Sequence, residues 1–181
     1  MEKYSEDKII DCDKTMDTFE ITNDKYLTRK HSTLFDYKNK LEENIYNSLF
    51  KFCVVRNPWE MMISYYFSPH WKRWNLYPFG EVWDEDSFIK LFNRDEIKSL
   101  RNFICLDNKE KLIERMDYII RFENLNNEFE KVLDILKIEN DSLLHKNKSN
   151  HKLYKKYYNK ELKNMIFDKF NEEIKFFEYE F

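Results

Sequence analysis

From residue 32 onward the chain alternates between helical and strand-like spacing of its apolar positions. In "STLFDYKNKLEENIYNSL" (32–49), Leu34, Tyr37, Leu41, Ile45 and Leu49 fall on one helical stripe, with Ser32 or Thr33 as the N-cap. "LFKFCVV" (49–55) has no polar alternation apart from Lys51, which predicts a short strand covered on both faces, as in a parallel sheet. Asn57 then suits an N-cap and Pro58 the first helical position, so 58–67 is predicted helical. An aromatic-rich loop follows over 68–83, "SPHWKRWNLYPFGEVW". Short helices are predicted at "DSFIKLFN" and after Asp95, and "DYIIRF" (117–122) is a second covered strand. Leu125, Phe129, Val132, Leu133 and Leu136 mark a helix over 124–137. Leu162, Met165, Ile166, Phe170, Ile174 and Phe177 mark a last one.

Strands alternating with helices predict an α/β fold, a parallel sheet flanked by helices. No repeat or low-complexity linker divides the chain. The reading is a loosely ordered segment over 1–28, where charges mix with isolated apolar residues, and one domain over 29–181. A hydrophobic content of 42% permits a large core despite 36% charged residues, so disorder of the whole chain is excluded.

The net charge of −3 speaks against a general nucleic-acid binder. The opening "MEKYSEDKIIDCDK" is too polar for a signal peptide, and no apolar run approaches the roughly 18–20 residues that span a bilayer. Cys12, Cys53 and Cys105 lack CxxC or metal-ligand spacing and read as free thiols of a reducing compartment. A cytoplasmic protein is the expectation.

Candidate chemistry gathers at "KFCVVRNPWEMMISYY" (51–66). Ligands of open α/β sheets collect at the carboxyl ends of strands, where the next helix starts. Arg56 stands at such an end, with a permanent charge and a fork of donors matched to phosphate or carboxylate. The helix start is expected to add unpaired N–H groups and a positive dipole end. Ser64 follows roughly 9 Å along the helix, within reach of an anion shared with Arg56. The plainer alternative pairs Arg56 with an acidic neighbour and leaves Ser64 an ordinary helix-surface serine.

The same stretch resembles the 3′-phosphate-binding segment of the carbohydrate sulfotransferases that use 3′-phosphoadenosine 5′-phosphosulfate (PAPS). Their pattern is a strand followed by V-R-N-P-aromatic-acid-R-x-x-S-x-Y. The likeness continues in order through "DYIIRFENLNNEFEKVLDIL", "NKSNHKLYKKYYNKEL" and "EEIKFFEYEF", covering most of residues 30–181. It implies a sulfotransferase-like core of the P-loop NTPase type, helix-rich, with Arg56 and Ser64 on the donor's 3′-phosphate. Ser149 would sit in a loop closing over that donor. It also implies sulfuryl transfer to a hydroxyl of a carbohydrate or glycan acceptor, with His31, in "RKHSTLFDYK", as the base. Met61 stands where the family has a second arginine. No glycine-rich loop for the 5′-phosphosulfate precedes the strand, because the single glycine is Gly80. The expectation is therefore an N-terminally shortened relative or a non-catalytic binder, with exposed strand edges that favour self-association.

Other candidates keep two readings. Lys146, Lys148, Lys152, Lys155 and Lys156 form a basic strip, either a polyanion surface or a solvated face. Trp71, Trp74, Tyr77 and Trp83 either stack on sugar rings or pin their loop to the core. In "RFENL", Glu123 pairs with Arg121 or caps the next helix, a structural role either way. No His/Cys/Asp cluster has metal-ligand spacing, so no metal is expected.

Overall fold

The computed structural model describes residues 8–13, 18–23, 28–29, 31–69, 71, 79, 81–139, 143 and 148–181. Contacts divide the chain into two compact units, Met1–Phe52 with Leu100–Asp117, and Cys53–Ser99 with Tyr118–Phe181, where one domain over 29–181 is predicted from sequence.

The first unit holds a three-stranded antiparallel sheet in the order β1 (Lys8–Asp13), β2 (Thr18–Asn23), β3 (Thr28–Arg29), with an irregularity in register between Ile10 and Asp13. Residues 1–28, read from sequence as loosely ordered, thus contain strands. The stripe over 32–49 is split into α1 (Leu34–Lys40) and α2 (Glu43–Ser48). Thr33 caps α1 in a reciprocal capping box with Asp36. Helix α5 (Arg101–Ile104) packs on α1.

The second unit is built on β4 (Phe52–Val55) and β5 (Tyr118–Arg121), which pair as a two-stranded parallel sheet. Around it lie α3 (Pro58–Tyr66), α4 (Glu85–Phe92), α6 (Leu125–Leu136), α7 (Lys160–Lys169) and α8 (Asn171–Phe176). The architecture is α/β, as expected. Coverage of β4 is less than expected: Val55 is buried, but Phe52 and Val54 are 41% and 47% exposed. Side chains alternate across a strand, and in a two-stranded sheet only one of β4's faces meets the core.

That core joins Trp59, Met62, Ile63 and Tyr66 of α3 to Phe88 and Leu91 of α4, and to Leu162, Ile166, Phe170 and Ile174. The last four belong to the predicted C-terminal stripe, now shared by two helices that meet at Phe170. Trp71 is buried with its indole N–H donating to the Tyr65 carbonyl at 2.6 Å, and Trp83 packs edge-on to Tyr66. Both therefore pin their segment to the core. Trp74 and Tyr77 lie outside the described residues.

Scarcity of glycine leaves a mark on the helix ends. Helix α6 closes with Lys137 in the left-handed region (φ 55°), Ile138 N–H donating to Leu133 O at 2.9 Å and Lys137 N–H to Asp134 O at 3.1 Å. Helix α8 closes in the same way, with Glu178 (φ 56°), Tyr179 N–H to Ile174 O at 2.9 Å and Glu178 N–H to Lys175 O at 3.4 Å. Both are Schellman closures without the usual glycine. Left-handed backbone costs an L-residue roughly 1–2 kcal/mol, partly offset by the greater freedom glycine has when unfolded. Lys137→Gly and Glu178→Gly are each expected to stabilise the fold by about 0.5 kcal/mol or more, read as a raised denaturant midpoint at unchanged slope.

Candidate functional site

The junction of β4 and α3 is locally self-sufficient. Asn57 Oδ1 accepts from the backbone N–H groups of Trp59 (3.1 Å) and Glu60 (3.4 Å), while Pro58 has no N–H to satisfy. The Asn57 backbone N–H donates to the Glu123 carboxylate at 2.7 Å, and Met61 N–H donates to Asn57 O at 2.8 Å. The helix start therefore does not offer the unpaired N–H groups expected from sequence. A capping side chain and a carboxylate from the segment after β5 take that place. Glu123 thus has a structural role, but it meets the Asn57 N–H where pairing with Arg121 or capping of the next helix is predicted. Arg121 instead donates to Phe177 O at 3.0 Å and lies 5.5 Å from the Tyr179 ring centroid.

Arg56 has three notable contacts or vacancies. Its Nη2 lies 3.2 Å from the Glu60 carboxylate, one turn into α3. Its guanidinium covers the Phe122 ring at 4.1 Å. Its Nε is buried with no hydrogen-bond partner among the described residues. The acidic-neighbour alternative is thus realised, through one of the three guanidinium nitrogens. With side chains 18% and 34% exposed, the pair contributes less than a buried one, about 1 kcal/mol or below. Glu60 and Ser64 are themselves four residues apart, on one face of α3.

Ser64 Oγ and Ser149 Oγ lie 2.9 Å apart, across 85 residues of sequence. The segment after Ser149 is laid along α3. His151 stacks on Phe67 at 5.7 Å, the 3-10 turn Tyr154–Tyr157 packs on the helix, and Tyr158 donates its hydroxyl hydrogen to Trp59 O at 2.9 Å. Burial pushes the Tyr154 phenol up, and the Glu60 charge pushes it the same way, while a hydrogen bond with Asn57 pulls it down. Lys148, Lys152, Lys155 and Lys156 of the basic strip are exposed; Lys146 lies outside the described residues.

Arg56, Ser64 and Ser149 all belong to the second unit, and the two serines are in direct contact. His31 belongs to the first unit, exposed in the turn ahead of α1. Sequence reasoning missed Glu60, Phe122 and Tyr154 as neighbours of this corner. The four-residue spacing of Arg56 and Glu60 was a usable signal; Phe122 and Tyr154 arrive through tertiary contacts that no local pattern marks.

The described residues bring two serine hydroxyls into contact and hold the Arg56 guanidinium with its Nε buried and without a hydrogen-bond partner among them. They provide no group of three or more His, Cys, Asp or Glu placed to hold a metal ion. Burial pushes the Cys53 thiol up to about 12, so at neutral pH it is a protonated thiol. Among the described residues no helix is long and apolar enough to cross a membrane. No protein-family model, curated protein or solved structure matches the chain.

Proposed function

We propose that the chain is a relative of the PAPS-dependent carbohydrate sulfotransferases, holding the donor's 3′-phosphate with Arg56 and Ser64 under a loop that carries Ser149 over the donor, and transferring the sulfuryl group to a hydroxyl of a carbohydrate-like acceptor. The observation that carries this reading is the contact of Ser64 with Ser149 at 2.9 Å, because the resemblance assigns both serines to one ligand from segments far apart in sequence. The buried, unpartnered Nε of Arg56 adds a donor that a phosphate oxygen would satisfy. In the transfer, an acceptor oxygen attacks sulfur, the bond from sulfur to the 5′-phosphate oxygen breaks, and adenosine 3′,5′-bisphosphate leaves. The acceptor's proton goes to a base, the role that the resemblance gives to His31. Cations near the leaving phosphate lower the barrier by neutralising its growing charge.

A second reading, a non-catalytic relative that binds a nucleotide or anionic glycan, is favoured by the Arg56–Glu60 pair. Transfer of labelled sulfate from PAPS to a panel of glycans separates the two. Turnover that His31→Ala abolishes supports the enzyme. Nucleotide binding without turnover supports the binder, and a folded protein that binds no nucleotide removes both. A cytoplasmic location and self-association through the exposed face of β4 complete the proposal. Sedimentation at micromolar concentration is expected to show species larger than a monomer, and Val54→Lys should reduce them.

A further inference from the structure

Residues 177–181 cross the carboxyl ends of both parallel strands of the second unit. At the end of β5, Arg121 donates to Phe177 O at 3.0 Å and lies 5.5 Å from the Tyr179 ring centroid. Beyond the end of β4, the side-chain amide of Asn57 donates to Glu180 O at 2.9 Å. That bond fixes the amide with its oxygen turned to α3, where it accepts from the N–H groups of Trp59 and Glu60. The next residue, Phe181, lies against the segment that follows Ser149.

The Phe181 ring meets Trp59 at 5.6 Å, Tyr154 at 5.8 Å and Tyr158 at 5.6 Å, edge-on in every case, a favourable geometry for aromatic pairs. Phe181 O accepts from Lys155 Nζ at 2.9 Å, and Lys163 Nζ lies 4.2 Å from the ring centroid. Trp59 belongs to the first turn of α3, whereas Tyr154, Lys155 and Tyr158 belong to the segment after Ser149. Phe181 therefore wedges one against the other, beside the bond from the Tyr158 hydroxyl to Trp59 O. At its other end the same segment meets α3 through Ser149 on Ser64 and reaches Phe67 through His151.

We propose that Phe181 is a positioning residue for Ser149: it holds residues 150–158 along α3, so that the Ser149 hydroxyl is in place before the donor arrives. This rests on the nucleotide reading of the site and adds to it a residue that acts through another. A segment held closed in advance loses less freedom on binding. One that is closed about a tenth of the time forfeits most of what Ser149 contributes to affinity.

Titration calorimetry with adenosine 3′,5′-bisphosphate tests this on the full chain, in the parent, Ser149→Ala, Phe181→Ala and the double variant. Ser149→Ala is expected to weaken binding about tenfold, the loss of one charge-assisted hydrogen bond. Phe181→Ala is expected to weaken it about fivefold, and adding Ser149→Ala then costs only about twofold more. A side chain that serves stability alone leaves the Ser149 factor the same in both backgrounds. Without nucleotide, hydrogen exchange should quicken at the amides of 150–158 in Phe181→Ala and stay as in the parent along α4. Equal Ser149 factors in the two backgrounds, or unchanged exchange over 150–158, overturn this proposal alone, because the parent still binds. A parent that binds no nucleotide removes the reading of the site and this proposal together. Near-ultraviolet circular dichroism confirms that each variant is folded. Phe181→Leu, which keeps apolar bulk and loses the ring edges, takes the place of Phe181→Ala in the cycle should that variant not fold.

Discussion

Arg56→Ala is expected to weaken adenosine 3′,5′-bisphosphate binding about 100-fold in titration calorimetry, within the 2–5 kcal/mol that removing one side of a desolvated charge pair costs. The expectation follows from three observations at one residue. The guanidinium is largely buried, it is braced on the Phe122 ring, and its Nε has no partner among the described residues. A phosphate would supply the acceptor that nitrogen lacks. Glu60 competes for the same guanidinium and repels an incoming anion. Glu60→Gln is therefore expected to tighten binding severalfold, in keeping with the modest worth of a partly exposed ion pair. The two variants move in opposite directions if Arg56 serves a ligand. If Arg56 serves only the fold, Glu60→Gln leaves nucleotide affinity untouched, and Arg56→Ala changes stability alone. Binding that survives Arg56→Ala at full strength would end the nucleotide reading.

The second large effect is on stability. Tyr66 is fully buried, and its ring packs against Phe67, Phe79, Trp83 and Phe88 with centroids 5.1–6.0 Å away. Its hydroxyl donates to Val82 O at 2.8 Å and accepts from Asp84 N–H at 3.0 Å. The side chain thus ties α3, which carries Ser64, to the start of α4. Tyr66→Ala removes the ring and both hydrogen bonds, and an aromatic-to-alanine change in a core costs about 3–5 kcal/mol. For a chain of this length that lowers Tm by roughly 10 °C. Tyr66→Phe keeps the ring and loses the hydroxyl. Because Val82 and Asp84 are exposed, water can replace part of the lost bonding, so a loss of about 1–2 kcal/mol is expected. Thermal unfolding of the two variants separates ring from hydroxyl, and equal losses would contradict the packing described here.

Much of the local architecture was legible because it depends on near neighbours. Asn57-Pro58 announces the start of α3, and the structure caps it with that asparagine. Val132 and Leu133 lie on the predicted face of α6 and are buried. The errors have a common form, since apolar spacing shows which residues share a face and is blind to where a helix breaks. The stripe from Leu34 to Leu49 reads through Leu41–Glu42 as though continuous, and the C-terminal stripe reads through Phe170 in the same way. Division into two units was not legible at all, because residues 100–117 return to the N-terminal part by long-range contacts.

At the candidate site the sequence by itself determined which groups are present: a permanent cation at a strand's end, a capped helix, and a serine two turns along it. Only the tertiary structure decided what those groups meet. Ser149 reaches Ser64 from 85 residues away, Phe122 slides under Arg56 from the end of the neighbouring strand, and Glu123 takes the Asn57 N–H. Such pairings are set by which segments the core draws together, and burial of apolar surface acts without regard to distance along the chain. Composition and spacing can list the donors and acceptors, but packing chooses the partners.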